Sequence, residues 1–290
     1  MKNPPFEYHC PGSLNEAVTL LAELGDDAKI LAGGQSLLPV MALRLGTPPH
    51  IIDIGGLTEL ADITVGSDGV TIGATVRHRA AETSDDIARH APLVAAALPH
   101  VGHRAIRTRG TVLGSIAHAD PAAEMPAVCL ATGATMVARS VDGEREIAAA
   151  DFFEGYLTTV LHDNEILTHV RFPAWPATAG AAVVEISRRH GDYALVGLAC
   201  KVDVTEGEIT SAALSFLGVS GTPVRVTKAE QSLVGKPPGD TVFATAADIV
   251  TATLKPGDDI HATANYRRHI AGVLTRRGLA EAAARIGVPA

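Results

Sequence analysis

A chain that ends an apolar strand on two adjacent glycines and then opens a helix has few ways to turn. Lys29 to Ala32 reads as such a strand, Gly33-Gly34-Gln35-Ser36 follow, and a second apolar run extends from Leu37 to Leu45. The pattern predicts strand, glycine turn and helix. Glycines there leave backbone N–H groups free to face an anion, and the helix start adds a favourable dipole. Arg109-Gly110-Thr111-Val112-Leu113-Gly114-Ser115 forms a second glycine-bearing turn further along. Two such turns suit a diphosphate, and hence a dinucleotide, better than one does. A double glycine also serves as a plain tight turn, and Ser36 also reads as the N-cap of the helix it precedes.

The chain has 290 residues, enough for two domains. No apolar run reaches the roughly 18 residues of a membrane helix. Met1-Lys2-Asn3-Pro4-Pro5 is not followed by an apolar signal core, so a cytoplasmic protein without a membrane span is expected. The formal charge of −8, with no basic stripe, argues against nucleic acid as a partner. The three cysteines, Cys10, Cys129 and Cys200, are far apart and form no disulfide, CxxC or iron–sulfur pattern. Any redox chemistry must then be carried by a non-protein group.

Residues 1–55 read as a small α/β unit. Ser13-Leu14-Asn15-Glu16 is a capping box, and helical apolar spacing follows it to Gly25. His50 to Ile54 is a second strand, after Pro48-Pro49. In residues 56–175, Ile63-Thr64-Val65 and Val70-Thr71-Ile72 flank a hairpin turn. Arg79–His90 and Leu93–Val101 look helical, and a long polar loop carries the second glycine turn. A helix begins near Met125, and Thr135–Arg139 and Ile166–Phe172 are strands. Residues 173–180 read as a linker. Strands at Ala182–Ser187, Leu195–Val204 and Ile209–Leu217 follow, then helices, the last from about Tyr266 to Ile286. The fold class is α+β, with a C-terminal domain of antiparallel sheet and helices.

The chain lacks GxGxxG after its first strand, and GxxxxGK[ST], HExxH and GxSxG as well. His118-Ala119-Asp120-Pro121-Ala122-Ala123-Glu124 offers acids that could hydrogen-bond a ribose or ring group. It also reads as an Asx turn at Asp120, with Glu124 at a helix start. No cysteine or second histidine stands at ligand spacing from His118, so no metal site is expected. Tyr193, in the turn Arg188-Arg189-His190-Gly191-Asp192-Tyr193, reads as a packing residue or as a ring that stacks on a flat cofactor.

These segments, in this order, together with Tyr266-Arg267-Arg268-His269-Ile270-Ala271-Gly272-Val273-Leu274, resemble the FAD-binding medium subunit of the molybdenum hydroxylases. That group includes aerobic carbon monoxide dehydrogenase and xanthine dehydrogenase. The resemblance covers nearly the whole chain. It implies a vanillyl-alcohol-oxidase (PCMH) type FAD-binding domain over 1–175, with subdomains of about 1–55 and 56–175. A domain resembling the carbon monoxide dehydrogenase flavoprotein C-terminal domain would occupy 180–290.

The cofactor implied is FAD. Ala32, Gly33, Gly34, Gln35 and Ser36, with Leu37 beside them, and Thr111, Gly114 and Ser115 would hold the pyrophosphate. Val101 and Gly102 would line the cofactor, Asp120 and Glu124 would offer acids to it, Leu167 an apolar contact, and Tyr193 would lie near the isoalloxazine. No residue is singled out as catalytic. The resemblance also implies partners: a small iron–sulfur subunit, a large molybdopterin subunit, and an external acceptor such as NAD, a quinone or O₂. The whole would be a cytoplasmic heterotrimer.

Two departures from the family pattern stand out. Leu113 replaces a glycine where backbone approaches phosphate or needs positive φ, and is expected to weaken FAD binding. Glu185 stands about where relatives carry Lys. A stand-alone flavoprotein oxidoreductase, with His190 or Tyr193 as its base, and a scaffold subunit with a decayed flavin site are the alternatives.

Overall fold

A computed structural model describes residues 2–286. Among the described residues, three larger sheets and one two-stranded sheet form. Strands β1 (Glu7–His9), β2 (Ala28–Leu31) and β3 (His50–Asp53) make a parallel sheet in the order β1-β3-β2. The helix Leu14–Leu24 links β1 to β2. Ser13 Oγ accepts from Glu16 N at 3.2 Å, as the capping box predicts, while the Glu16 carboxylate accepts from Gly12 N, one residue before the expected donor. Ala17, Val18 and Leu21 are buried at helical spacing and pack this helix onto the sheet.

The second sheet comprises β4 (Ile63–Gly66), β5 (Gly69–Gly73), β6 (Thr135–Ser140), β7 (Gly143–Ala148) and β10 (Ile166–Pro173). Its order is β4-β5-β10-β6-β7, antiparallel throughout. A short hairpin, β8 (Phe153–Gly155) and β9 (Thr158–Thr159), lies between β7 and β10. The chain between β5 and β6 is short helices and turns, joined by an isolated antiparallel bridge between Arg77 and Thr111. Its helices are His78–Glu82, Asp85–His90, Pro92–Ala97, Arg104–Arg107, Val112–His118 and Glu124–Thr132.

After residues 174–178, β11 (Ala179–Ser187), β12 (Ala194–Thr205), β13 (Glu208–Leu217) and β14 (Val224–Arg225) form an antiparallel meander. Both of its faces are covered, so the first six residues of β11 are all buried. Ala182, Val184, Val196, Leu198, Cys200 and Val202 pack toward the helices Thr227–Leu233, Asp240–Thr253 and Ala264–Arg285. Ala181, Val183, Ala199 and Ala213 join the core of the preceding region, where Pro92–Ala97 and Glu124–Thr132 meet the sheet.

The α+β expectation holds, with four differences. The run from Leu37 to Leu45 is helical only to Ala42, because Arg44 adopts φ 61° and Leu43 and Leu45 are exposed. Arg79–His90 is two helices, broken at Thr83–Ser84. The linker is shorter than 173–180, since β10 includes Pro173 and β11 begins at Ala179. Thr111–Ser115 is not a glycine turn in a loop but the start of the helix Val112–His118.

Candidate functional site: a cleft between the two glycine segments

The glycine segments lie far apart in sequence and touch in space. A Cβ built on Gly33 would stand 2.6 Å from Arg109 O, 2.7 Å from Gly110 Cα and 3.0 Å from Thr111 N. Only glycine lets these backbones meet. Gly34 then takes φ 70°, which turns the chain toward the helix Leu37–Ala42. The Arg77 guanidinium clamps the junction by donating to both Ala32 O and Arg109 O.

The two segments present backbone differently. Ser36 stands at the N-cap position with an αR backbone, and its hydroxyl makes no capping bond, contrary to the N-cap reading. The N–H groups of Gly34, Gln35 and Ser36 have no protein acceptor among the described residues. Thr111 is a true N-cap, accepting from Gly114 N at 3.0 Å. Leu113 is helical, 2% exposed and free of positive φ. The expectation that leucine strains this backbone is therefore overturned: a helical first turn accepts any L residue.

A cleft of about 890 Å³ runs between the segments, toward the upper end of volumes typical of ligand sites. Ala32, Gly33, Gly34, Gln35, Ser36, Leu37, Val101, Gly102, Thr111, Gly114, Ser115, Glu124, Leu167 and Tyr193 all line it. Val101 and Gly102 are held by Arg107, whose Nη1 donates to their carbonyls at 3.2 and 2.8 Å. A bulge in the pairing of β10 with β6 falls between Leu167 and His169, a device that re-aims side chains. Asp120 does not line the cleft. Its carboxylate accepts from Ala122 N at 2.8 Å, which is the Asx-turn reading. His190 is exposed and does not line it either, although the adjoining Gly191, Asp192 and Tyr193 do.

Glu124 opens its helix and is 6% exposed. Burial, reinforced by the nearby Glu185 carboxylate, pushes it up to about 8, so the carboxyl is mostly protonated at neutral pH and can donate. The Glu185 side chain is 8% exposed. One oxygen lies 3.4 Å from His100 Nδ1 and the other has no partner. The hydrogen bond to Glu185 raises His100 against the opposing effect of its own burial.

Tyr193 sits on the turn from β11 to β12 and is 59% exposed as a residue. Its hydroxyl end, enclosed by the cleft and near the acids Asp120 and Glu124, is pushed up to about 12, so it stays a donor.

One further cleft residue, and one behind it, escaped the reading of the sequence. His78 is 4% exposed, neither ring nitrogen has a protein partner, and burial followed by Arg107 lowers it to about 4, leaving a neutral imidazole. Arg77 works from behind the lining. The signal available was Arg77-His78-Arg79, charges directly after the apolar stretch Val70–Val76.

The family model described as "FAD binding domain in molybdopterin dehydrogenase" matches residues 4–175, and "CO dehydrogenase flavoprotein C-terminal domain" matches residues 181–282. The chain is 38% identical to the alpha subunit of the 6-hydroxypseudooxynicotine dehydrogenase complex of Paenarthrobacter nicotinovorans, over 97% of this chain and 96% of that one. It is 38% identical to caffeine dehydrogenase subunit beta of Pseudomonas sp. strain CBB1, over 99% and 97%. The solved structure of carbon monoxide dehydrogenase from Hydrogenophaga pseudoflava superposes with a TM-score of 0.95 at 38% identity, covering 98% of this chain and 99% of that one. The free N–H groups of residues 34–36 and the cleft fit a dinucleotide diphosphate, and the chain belongs to the FAD-binding flavoprotein subunits of the molybdenum hydroxylases, an oxidoreductase family, with FAD as its cofactor.

Proposed function

We propose that this chain is the exit station of an electron-transfer chain in a heterotrimeric dehydrogenase. Electrons would be taken from substrate at a molybdopterin site in a large subunit and cross iron–sulfur clusters in a small subunit. They would leave from this chain to NAD, a quinone or O₂. FAD, when bound, supplies the ability to accept electrons singly and release them singly or in pairs.

The observation that carries the reading is the cleft joining both glycine segments, in a chain with no redox group of its own. Cys129 and Cys200 are buried, and burial raises both thiols well above the ordinary range. Cys10 is exposed, and Cys129 and Cys200 lie in two separate apolar cores, so cluster and molybdopterin would be borrowed. The relatives point the same way. By name they serve 6-hydroxypseudooxynicotine and caffeine dehydrogenases, yet both resemble this chain over almost their whole length. Substrate choice would then reside in another subunit.

Within the cleft, the backbone of 32–36 and 111–115 would hold the pyrophosphate and Leu167 would pack on the cofactor. Glu124, protonated, would donate a hydrogen bond to it, and Tyr193 would cover the opening. Residues 1–175 and 180–290 are the domains we assign to this work. Purification from the native host tests the whole reading. The expected result is a yellow-brown complex with two further chains and one FAD per copy of this one. A colourless chain would overturn the flavin role, and a yellow chain purifying alone would overturn the borrowed centres.

Tyr193→Ala should keep its FAD and change the rate at which reduced flavin reacts with acceptor. Stopped-flow reoxidation at matched flavin content reads this, and identical rates would leave Tyr193 a packing residue.

A further inference from the structure

Away from the cleft, the parallel pairing of β1 with β3 gathers three metal-binding side chains. Glu7 pairs with His50 and His9 with Ile52. Residues 7 and 9 share one face of the strand, so the imidazole of His9 and the carboxylate of Glu7 stand beside His50 at the start of β3. Tyr8, between them, takes the other face, where its hydroxyl donates to Asp53 Oδ2 at 2.6 Å.

The donor atoms converge. His9 Nε2 and His50 Nδ1 are 3.2 Å apart, with the rings tilted by 39° and not stacked. Glu7 Oε2 lies 3.6 Å from His50 Nδ1, and Oε1 lies 4.0 Å from His9 Nε2. This is the one group of at least three His, Cys, Asp or Glu donors found so closely spaced among the described residues. Two Zn–N bonds of about 2.0–2.1 Å at a tetrahedral angle hold their nitrogens about 3.3–3.4 Å apart. The imidazole pair is therefore close to chelating separation already. The two imidazoles are largely covered, with side-chain exposures of 17% and 24%, while Glu7 is 67% exposed and can close the remaining distance.

We propose that Glu7, His9 and His50 form a binding site for one divalent transition-metal ion of the zinc class, with water completing its coordination. Two imidazoles and one carboxylate suit that class, and would not suit magnesium or calcium, which take oxygen ligands. A hydrogen bond between the imidazoles would occupy one of the converging nitrogens with a proton. Binding asks only that each ring carry its N–H on the other nitrogen, so no backbone movement is needed. The ion would tie β1, a strand of three residues, to β3 across 41 residues of chain, and so clip the N-terminal edge of the sheet.

The test uses the full chain, freed of metal by chelator, with Zn²⁺ as the probe. Equilibrium dialysis with elemental analysis compares wild type, His9→Ala, His50→Ala and Glu7→Gln, and thermal unfolding is followed with and without Zn²⁺. Wild type should hold one equivalent more than His9→Ala or His50→Ala. Losing a direct ligand should weaken that equivalent by at least the about tenfold that loss of a ligand's supporting partner brings. Glu7→Gln should weaken it less. Zn²⁺ should raise the unfolding temperature of wild type and not of the histidine variants, because an ion that binds only the folded pair stabilises it. Flavin content checks that each variant folds. If His50→Ala fails that check, His9→Ala and Glu7→Gln, on the edge strand, carry the decision. Equal Zn²⁺ uptake and equal thermal response in wild type and variants would assign the metal to others of the 12 histidines and overturn the site.

Discussion

The two glycine segments of the cleft look alike in sequence and are built on opposite principles. Around Gly33 and Gly34 the backbone leaves regular structure, turns through a positive φ and leaves its N–H groups free. Around Gly114 the backbone is an ordinary helical first turn with its cap in place. At Gly33 an added Cβ would meet the backbone of the other segment, whereas at Gly114 it would stand 2.6 Å from Oγ1 of Thr111, the cap of its own turn. The difference explains why Leu113 is accommodated in a position where a glycine turn would forbid it. A glycine marks a special backbone only when the surrounding geometry needs it.

Mutations can break or sharpen this contrast. The largest effect is expected from Gly33→Val, which drives a branched side chain into the backbone of 109–111. Flavin should be lost and the protein destabilised, as seen by absorbance and thermal unfolding; normal flavin content would show that the segments do not meet as described. Leu113→Gly should come next. Truncating a buried leucine in a helix costs about 2–5 kcal/mol in packing and about 1 kcal/mol in helix propensity. Chemical denaturation should report that loss, with no gain in FAD retention; tighter flavin would revive the strained-turn view.

Thr111→Ala should cost about 1 kcal/mol of apoprotein stability, the usual worth of an N-cap. Ser36→Ala should cost the apoprotein almost nothing, because Ser36 caps nothing, and should keep its flavin, because the backbone N–H groups remain. Equal losses of apoprotein stability at the two positions would erase the distinction between the walls.

What the sequence made legible follows from how strongly each element repeats a pattern. The meander β11 to β13 and the helix Ala264–Arg285 stand out because long apolar runs and helical spacing are hard to misread. β1 is short and half polar, and β7 alternates charges on a sheet edge, so neither carries an apolar signature. The helix Val112–His118 hides behind its internal glycine. Lining residues were legible where a motif marks them. Arg77 was not, because its role, holding two carbonyls from behind, arises only when distant segments meet. The pair His9 and His50 is invisible for the same reason: strand register, not sequence spacing, brings it together.

The meander has one more consequence. Tyr193 rides on the turn between β11 and β12, while Glu124 begins a helix that lies on the same sheet. The gap between these two lining residues is thus set by how closely helix and sheet approach, and the side chains in between include Ala181, Ala199 and Ala213. Those alanines act as a spacer of fixed thickness. Enlarging any of them would wedge the layers apart, since a full core absorbs added volume by shifting backbone. The aperture of the cleft is in this sense calibrated at a seam that never touches the cofactor.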